Sequence, residues 1–303
     1  MIVSVGSYVV MEEKIKTYLS WKASYATRAS VVYKNWLDKF VEVCGDKKLD
    51  EYDTNDTAKY KNWLEVRYSP YSVQLAFIVI KDFFNYYKLR DVPCLSPMFI
   101  KIPKIMQPKS HRAITEGEFK KIIAEIPQND FRQLRDLVMI RLLWDTGMRV
   151  SELCDMDLSQ ISESKKSTTI VSKKSKRPRI IVWSDETHYF LMKYMGMRLK
   201  LKHVEKASAL FVGWVKQQGW SSRATTRTIQ RTIKYYTNRA GINEKITPHS
   251  FRHGWAHFRR DQNAPLAFIQ KGLGHISPVT TFIYQQYNDN EFVGNAQKYL
   301  RAV

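Results

Sequence analysis

Hydrophobic positions in the first hundred residues recur at helical spacing. Tyr33, Trp36, Leu37, Phe40 and Cys44 share one helical face, and so do Ser72, Leu75, Ala76, Val79, Phe83 and Tyr86. Gly45, the only glycine between Met11 and residue 95, suits a helix C-terminus. Basic residues such as Lys22, Arg28, Lys34 and Arg67 fall between the apolar positions. Pro93, Pro97, Pro103 and Pro108 then interrupt the pattern, because proline forbids regular helix and stiffens an extended connection. The segment reads as a linker, with Lys101, Lys104 and Lys109 along it. Thr115 and Glu118 have capping-box spacing before "FKKIIAEI", and a second helix is predicted from about Phe131 to Asp145, closed by Gly147. "TTIVS" and "RIIVW" flank the polar "KKSKRP" and predict a β-hairpin. From Asp185 onward the pattern returns to helix through to the end.

The expected architecture is mainly α, with one small antiparallel sheet in a second domain. Its expected divisions are a disordered lead-in over 1–11, a helical domain over 12–92, a linker over 93–112, a second domain over 113–290 and a tail over 291–303. At 303 residues the chain is long enough for two domains, each with its own core. No apolar run approaches the ~18 residues of a membrane span. The opening "MIVSVGSYVV" lacks a basic leader. Cys44, Cys94 and Cys154 are widely spaced and odd in number, which argues against a disulfide framework or zinc ribbon and fits a reducing cytoplasm.

Charge changes the picture most. Lys and Arg number 49 against 29 Asp and Glu, leaving a net +20. Such an excess favours a polyanion, since each cation that meets a phosphate releases condensed counterions. An anionic membrane would call for a basic amphipathic helix or a lipid anchor, and neither is evident. Nucleic acid is therefore the expected partner.

"HSFRHGWAH" places His249, His253 and His257 four residues apart, as in a helical metal site. The intervening residues include Arg252 and no carboxylate, and the three histidines span about 12 Å of helix, too long for one tetrahedral ion. A phosphate clamp fits better. Thr247 suits an N-cap and Pro248 the first helical position, so His249 and Arg252 lie in a first turn whose N–H groups and dipole attract anions. His253 and His257 read as packing residues. In "TGMRVSEL", Gly147 ends one helix, Ser151 begins another with Glu152 close by, and Arg149 occupies the turn between. In "LGHISPVTTFIYQQY", Gly274 and His275 end a helix, Ser277 and Pro278 begin the next, and Tyr284 and Tyr287 follow on it.

Taken in order, "TGMRVSEL", the basic hairpin, "HSFRH" and "LGH" with a tyrosine nine residues after its histidine resemble the tyrosine recombinase (phage integrase) family. The resemblance covers about residues 12–290 and is to members of compact, Xer-like size. It implies a small SAM-like helical core-binding domain and a mainly helical catalytic domain, clamped around double-stranded DNA. It implies that Arg149 and Arg252 grip the scissile phosphate, that His249 and His275 supply the family's two imidazoles, that Glu152 buttresses them and that Tyr284 is the nucleophile. It further implies that a hairpin lysine protonates the leaving 5′ oxygen. Counting back from "RIIVW" without a gap selects Lys174, and a one-residue shift selects Lys173.

The residue types suit that chemistry. A free tyrosine, with a pKa near ~10, is about one part in a thousand ionised at neutral pH, so it needs a proton acceptor such as His249 or a positive field. Charge that builds on the phosphoryl oxygens can be held by arginine and imidazole N–H groups, with no metal, cofactor or ATP. The resemblance implies a homotetramer on two duplexes with inverted-repeat half-sites, an accessory protein being an open question, and the C-terminal tail docking on a neighbouring protomer. The implied activity is site-specific recombination through a 3′-phosphotyrosine in a cytoplasmic, nucleoid-associated enzyme. A type IB topoisomerase or telomere resolvase, and a non-catalytic DNA-binding regulator, are the competing readings.

Overall fold

A computed structural model describes residues 9–105, 112–172, 177–201, 208–215, 219–275 and 281. The chain forms two compact units, Met1–Lys109 and Ser110–Val303.

The first unit is built on three helices, α1 (Val9–Cys44), α2 (Thr54–Arg67) and α3 (Pro70–Lys88). Gly45 follows α1 with φ +90°, and its N–H donates to the Val41 carbonyl at 2.8 Å. Such a backbone is open to glycine at little cost. Asp53 and Asp56 cap α2 reciprocally, and the Ser69 hydroxyl caps α3 ahead of Pro70. The core is unusually aromatic: Phe40 meets Tyr60 edge-on at 5.2 Å and Phe83 meets Phe84 at 5.4 Å, geometries that ring quadrupoles favour.

Three expectations are corrected here. Helix α1 begins at Val9 and Met11 is fully buried, so the proposed lead-in does not extend through residue 11. On α3 the predicted positions Ala76, Val79, Phe83 and Tyr86 are buried, but Leu75 lies on the outer side. Val73, Phe77, Ile80 and Phe84 are buried as well, so the inward face is broader than the spacing suggested. The proline-rich segment packs as part of this unit. Leu95 and Ile100 enter its core, Pro97–Phe99 forms a 3-10 turn, and Gln74 Nε2 donates to the Pro103 carbonyl at 3.0 Å. Prolines stop helices, but they do not keep the apolar residues between them out of a core.

The second unit contains α4 (Glu116–Ala124), α5 (Phe131–Thr146), α6 (Val150–Asp155), the hairpin β1 (Ser167–Val171)–β2 (Pro178–Val182), α7 (Asp185–Arg198), the hairpin β3 (Val212–Val215)–β4 (Gly219–Arg223), α8 (Thr226–Arg239), α9 (Pro248–Asp261) and α10 (Leu266–Leu273). Helix α5 is buried on nearly every side, which brings even Arg135 and Asp136 inside. They pair at 2.6 Å, and Arg135 also donates to the Val212 carbonyl at 2.8 Å, as buried charge requires. The capping box at Thr115 and Glu118 is present.

The second hairpin departs from the helical reading of everything after Asp185. Its strands are short and glycine-bearing: Gly213 lies within β3, and Gly219 opens β4 at φ +68°. Trp214 and Trp220 pack across it with ring centroids 5.4 Å apart. Runs so brief carry little alternation to detect. In the first hairpin Ile170 pairs with Arg179, and Arg179 and Ile181 face inward while Ile180 and Val182 face out. Among the described residues no helix is long and apolar enough to cross a membrane.

Candidate active site

The site is assembled from the ends of helices. At the end of α5, Gly147 adopts φ +58° and its N–H closes the last turn on the Leu143 carbonyl at 3.1 Å. A Cβ there would lie 3.0 Å from the Trp255 ring, so both conformation and space favour glycine. The chain then turns straight into α6, with Arg149 as its N-cap, two residues before the Ser151 start that the sequence suggested. The Arg149 N–H donates to Glu152 Oε2 at 2.8 Å and its Nη1 to Oε1 at 3.0 Å.

Glu152 is buried, and a second arginine reaches it from β2. Arg179 Nη1 donates to Oε1 at 2.8 Å and Nη2 to Oε2 at 2.6 Å, a two-pronged pairing. Burial pushes the Glu152 carboxyl up, but the bonds and charge of Arg179, then those of Arg149, outweigh it and hold the group at about 2. Arg179 also donates from Nε to the Gly272 carbonyl at 3.1 Å, which ties β2 to the end of α10.

On α9, the Thr247 hydroxyl accepts from the Ser250 N–H at 3.3 Å and Pro248 occupies the first turn, as predicted. Arg252 is buried. Its Nη1 donates to the Gly147 carbonyl at 2.9 Å and its Nη2 to the Leu273 carbonyl at 2.6 Å. One guanidinium thus fastens the end of α5 to the end of α10. His249 is exposed on the same first turn, three residues before Arg252, while His253 and His257 are half-buried farther along α9.

Helix α10 ends at Gly274, φ +63°, where a Cβ would lie 3.0 Å from Arg179 Cδ. His275 follows, its N–H donating to the Gln270 carbonyl at 3.1 Å and its Nδ1 lying 2.9 Å from Thr281 Oγ1. Burial, then the positive charges of Arg252, Arg149 and Arg179, lower its imidazole to about 4, so it is neutral at physiological pH.

The structure therefore brings Arg149, Glu152, Arg252 and His275 together and adds Arg179. Three guanidiniums and a neutral imidazole stand against one carboxylate, leaving a positive, partly desolvated site suited to anionic oxygens. Tyr284, Lys173 and Lys174 lie outside the described residues, as do Ser277, Pro278 and Tyr287. In the sequence "RIIVW" marks a strand of the hairpin and the register of the lysines, and its arginine was given no role. The signal passed over was strand parity: Arg179 falls on the same face as buried Ile181, and a buried arginine demands acceptors for its N–H groups.

The sequence profile of the Phage integrase family matches residues 112–291. Tyrosine recombinase XerA of Pyrococcus horikoshii is 28% identical over 273 residues, covering 90% of this chain and 87% of that protein. Among solved structures, XerH site-specific recombinase bound to palindromic difH substrate superposes with TM-score 0.75 at 18% identity, over 94% of this chain and 84% of that one. A lambda integrase tetramer bound to a Holliday junction gives TM-score 0.68 at 17% identity, over 89% of this chain and 78% of the other. The profile match over more than half of the chain, on a fold those structures share, makes this protein a member of the phage integrase family of tyrosine recombinases.

Proposed function

We infer that this protein is a site-specific DNA recombinase that cleaves and rejoins DNA through Tyr284. The observation that carries the reading is the convergence of Arg149, Arg252 and His275 around a carboxylate already saturated by arginine N–H groups, which leaves the cationic edge of the site for a phosphate. The Tyr284 phenolate oxygen attacks phosphorus, and the bond from phosphorus to the 5′ oxygen breaks. The phenol's proton passes to an acceptor, for which exposed His249 is the candidate, and the leaving 5′ oxygen takes a proton from Lys174 or, in the alternative register, Lys173. Arg149, Arg252 and the His275 ring hold the charge that builds on the non-bridging oxygens. The phosphotyrosine retains the bond energy, so a 5′-hydroxyl from a second duplex reverses the step and completes strand exchange.

The working assembly in this proposal is a homotetramer on two duplexes, each with inverted-repeat half-sites, in the cytoplasm and on the nucleoid. The lambda integrase tetramer on a Holliday junction, which shares the fold, supports it. Residues 291–303 are proposed to dock on a neighbouring protomer, and full synaptic assembly after deletion of 290–303 would exclude that role.

A nicked suicide substrate carrying the cognate site tests the chemistry. The native protein is expected to form a covalent adduct that Tyr284→Phe abolishes. Loss with Tyr287→Phe instead would reassign the nucleophile. Comparing Lys174→Ala with Lys173→Ala, using a sulfur leaving group that needs no proton, identifies the general acid.

A further inference from the structure

We propose that Arg179, which no part of the chemistry above uses, is a positioning residue that sets Arg149 and His275 in register with each other. The proposal rests on the recombinase reading and deepens it. One Arg179 side chain makes three directed bonds to two elements: both Glu152 oxygens on α6, at 2.8 and 2.6 Å, and the Gly272 carbonyl of α10, at 3.1 Å. Glu152 in turn holds both the main chain and the guanidinium of Arg149. Gly272 lies three residues before His275. A Cβ at residue 274 would press on Arg179, 3.0 Å from Cδ and 3.2 Å from Nη1, so any larger residue would have to displace the arginine. The end of α10 is thus laid directly over the arginine, and the imidazole is placed by that seat.

The geometry also says why the residue is an arginine. A planar fork satisfies a carboxylate with two N–H groups and keeps Nε for a third acceptor at a fixed angle, which a single ammonium cannot do. Arg179 is 9% exposed, and its own bonds run to Glu152 and the main chain. It acts on the phosphate through Arg149 and His275.

The experiment is single-turnover cleavage of the suicide substrate at saturating DNA by the native protein, Arg179→Gln and Arg179→Lys. Each is run on a normal scissile phosphate and on a methylphosphonate, which lacks one anionic oxygen. Circular dichroism and DNA affinity are measured in parallel. Both variants are expected to keep the native spectrum and bind DNA within about twofold, yet cleave the phosphate about tenfold or more slowly. On the methylphosphonate, where less charge must be held, the deficit should shrink to within about threefold. A merely structural loss would slow both substrates alike, and that result would overturn the proposal. So would native cleavage by Arg179→Lys, because charge without the fork would then suffice. Should Arg179→Gln not fold, the lysine variant decides the question by the same comparison. If the native protein itself forms no adduct, the recombinase reading fails, and this proposal with it.

Discussion

Acidification isolates the state of His275. In the folded protein its imidazole titrates at about 4, because it is partly buried and faces Arg252, Arg149 and Arg179. In the unfolded chain it returns to the ordinary value near ~6.5. Since the folded value lies below the unfolded one, the unfolded state binds the extra proton first. The associated stability is fully present above about pH 6.5 and is lost as the pH falls toward about 4. Each pH unit in that window removes about 1.4 kcal/mol, so at about pH 5 the loss is about 2 kcal/mol, or roughly 5 °C in the melting temperature of a unit this size. Denaturant unfolding of the native protein and of His275→Asn, each at about pH 7.5 and about pH 5, reads the effect as a difference of differences that cancels the other histidines. The native protein should lose about 2 kcal/mol more than the variant. Histidine NMR gives the direct check. A His275 resonance titrating near the ordinary value, or equal acid losses in the two proteins, would refute the electrostatic account of the site.

Other outcomes follow from the packing. Gly274→Ala must hold a left-handed backbone, at about 1–2 kcal/mol, and must also displace Arg179, so its melting temperature should fall and its cleavage rate with it. Trp255→Ala removes the ring that covers Gly147 and Gly272 and the Nε1 bond to the Asp145 carbonyl at 2.8 Å, and should destabilise the second unit by about 3–5 kcal/mol in urea melts. Burial, then the charge of Asp56, pushes the Cys44 thiol up to about 12, so iodoacetamide should alkylate it far more slowly in the native protein than in urea; equal rates would contradict the buried placement.

What could be read from the sequence was what is local. Thr115 with Glu118, Thr247 with Pro248, and the glycines at 147 and 274 announce helix ends because caps act within one turn. The ordered motifs identified the family, and Arg149, Glu152, Arg252 and His275 are indeed neighbours. Non-local packing was not legible. Leu75 and Ile78 have the apolar character of core residues but face outward, since the neighbours of α3 are set by tertiary structure. Leu95 and Ile100 are buried although prolines surround them. The β3–β4 hairpin rests on a tryptophan pair whose approach no single strand reveals.

Arg179 shows most clearly where local reading stops. Strand parity places it inward, but its meaning depends on Glu152, 27 residues earlier, and on a carbonyl 93 residues later. The same logic explains the glycines of "TGMR" and "LGH". Each ends a helix in the left-handed region, and each lies beneath a large side chain, Trp255 over Gly147 and Arg179 over Gly274. Arg252 then grips the carbonyl of Gly147 itself and that of Leu273, immediately before Gly274. Helix ends ordinarily leave carbonyls without partners. Here two arginines take up three of them, which fixes the arginines as well as the helices. Guanidiniums held by main-chain carbonyls and a saturated carboxylate need little reorganisation when charge develops on a phosphate. That is the condition under which fixed cations stabilise a transition state most effectively.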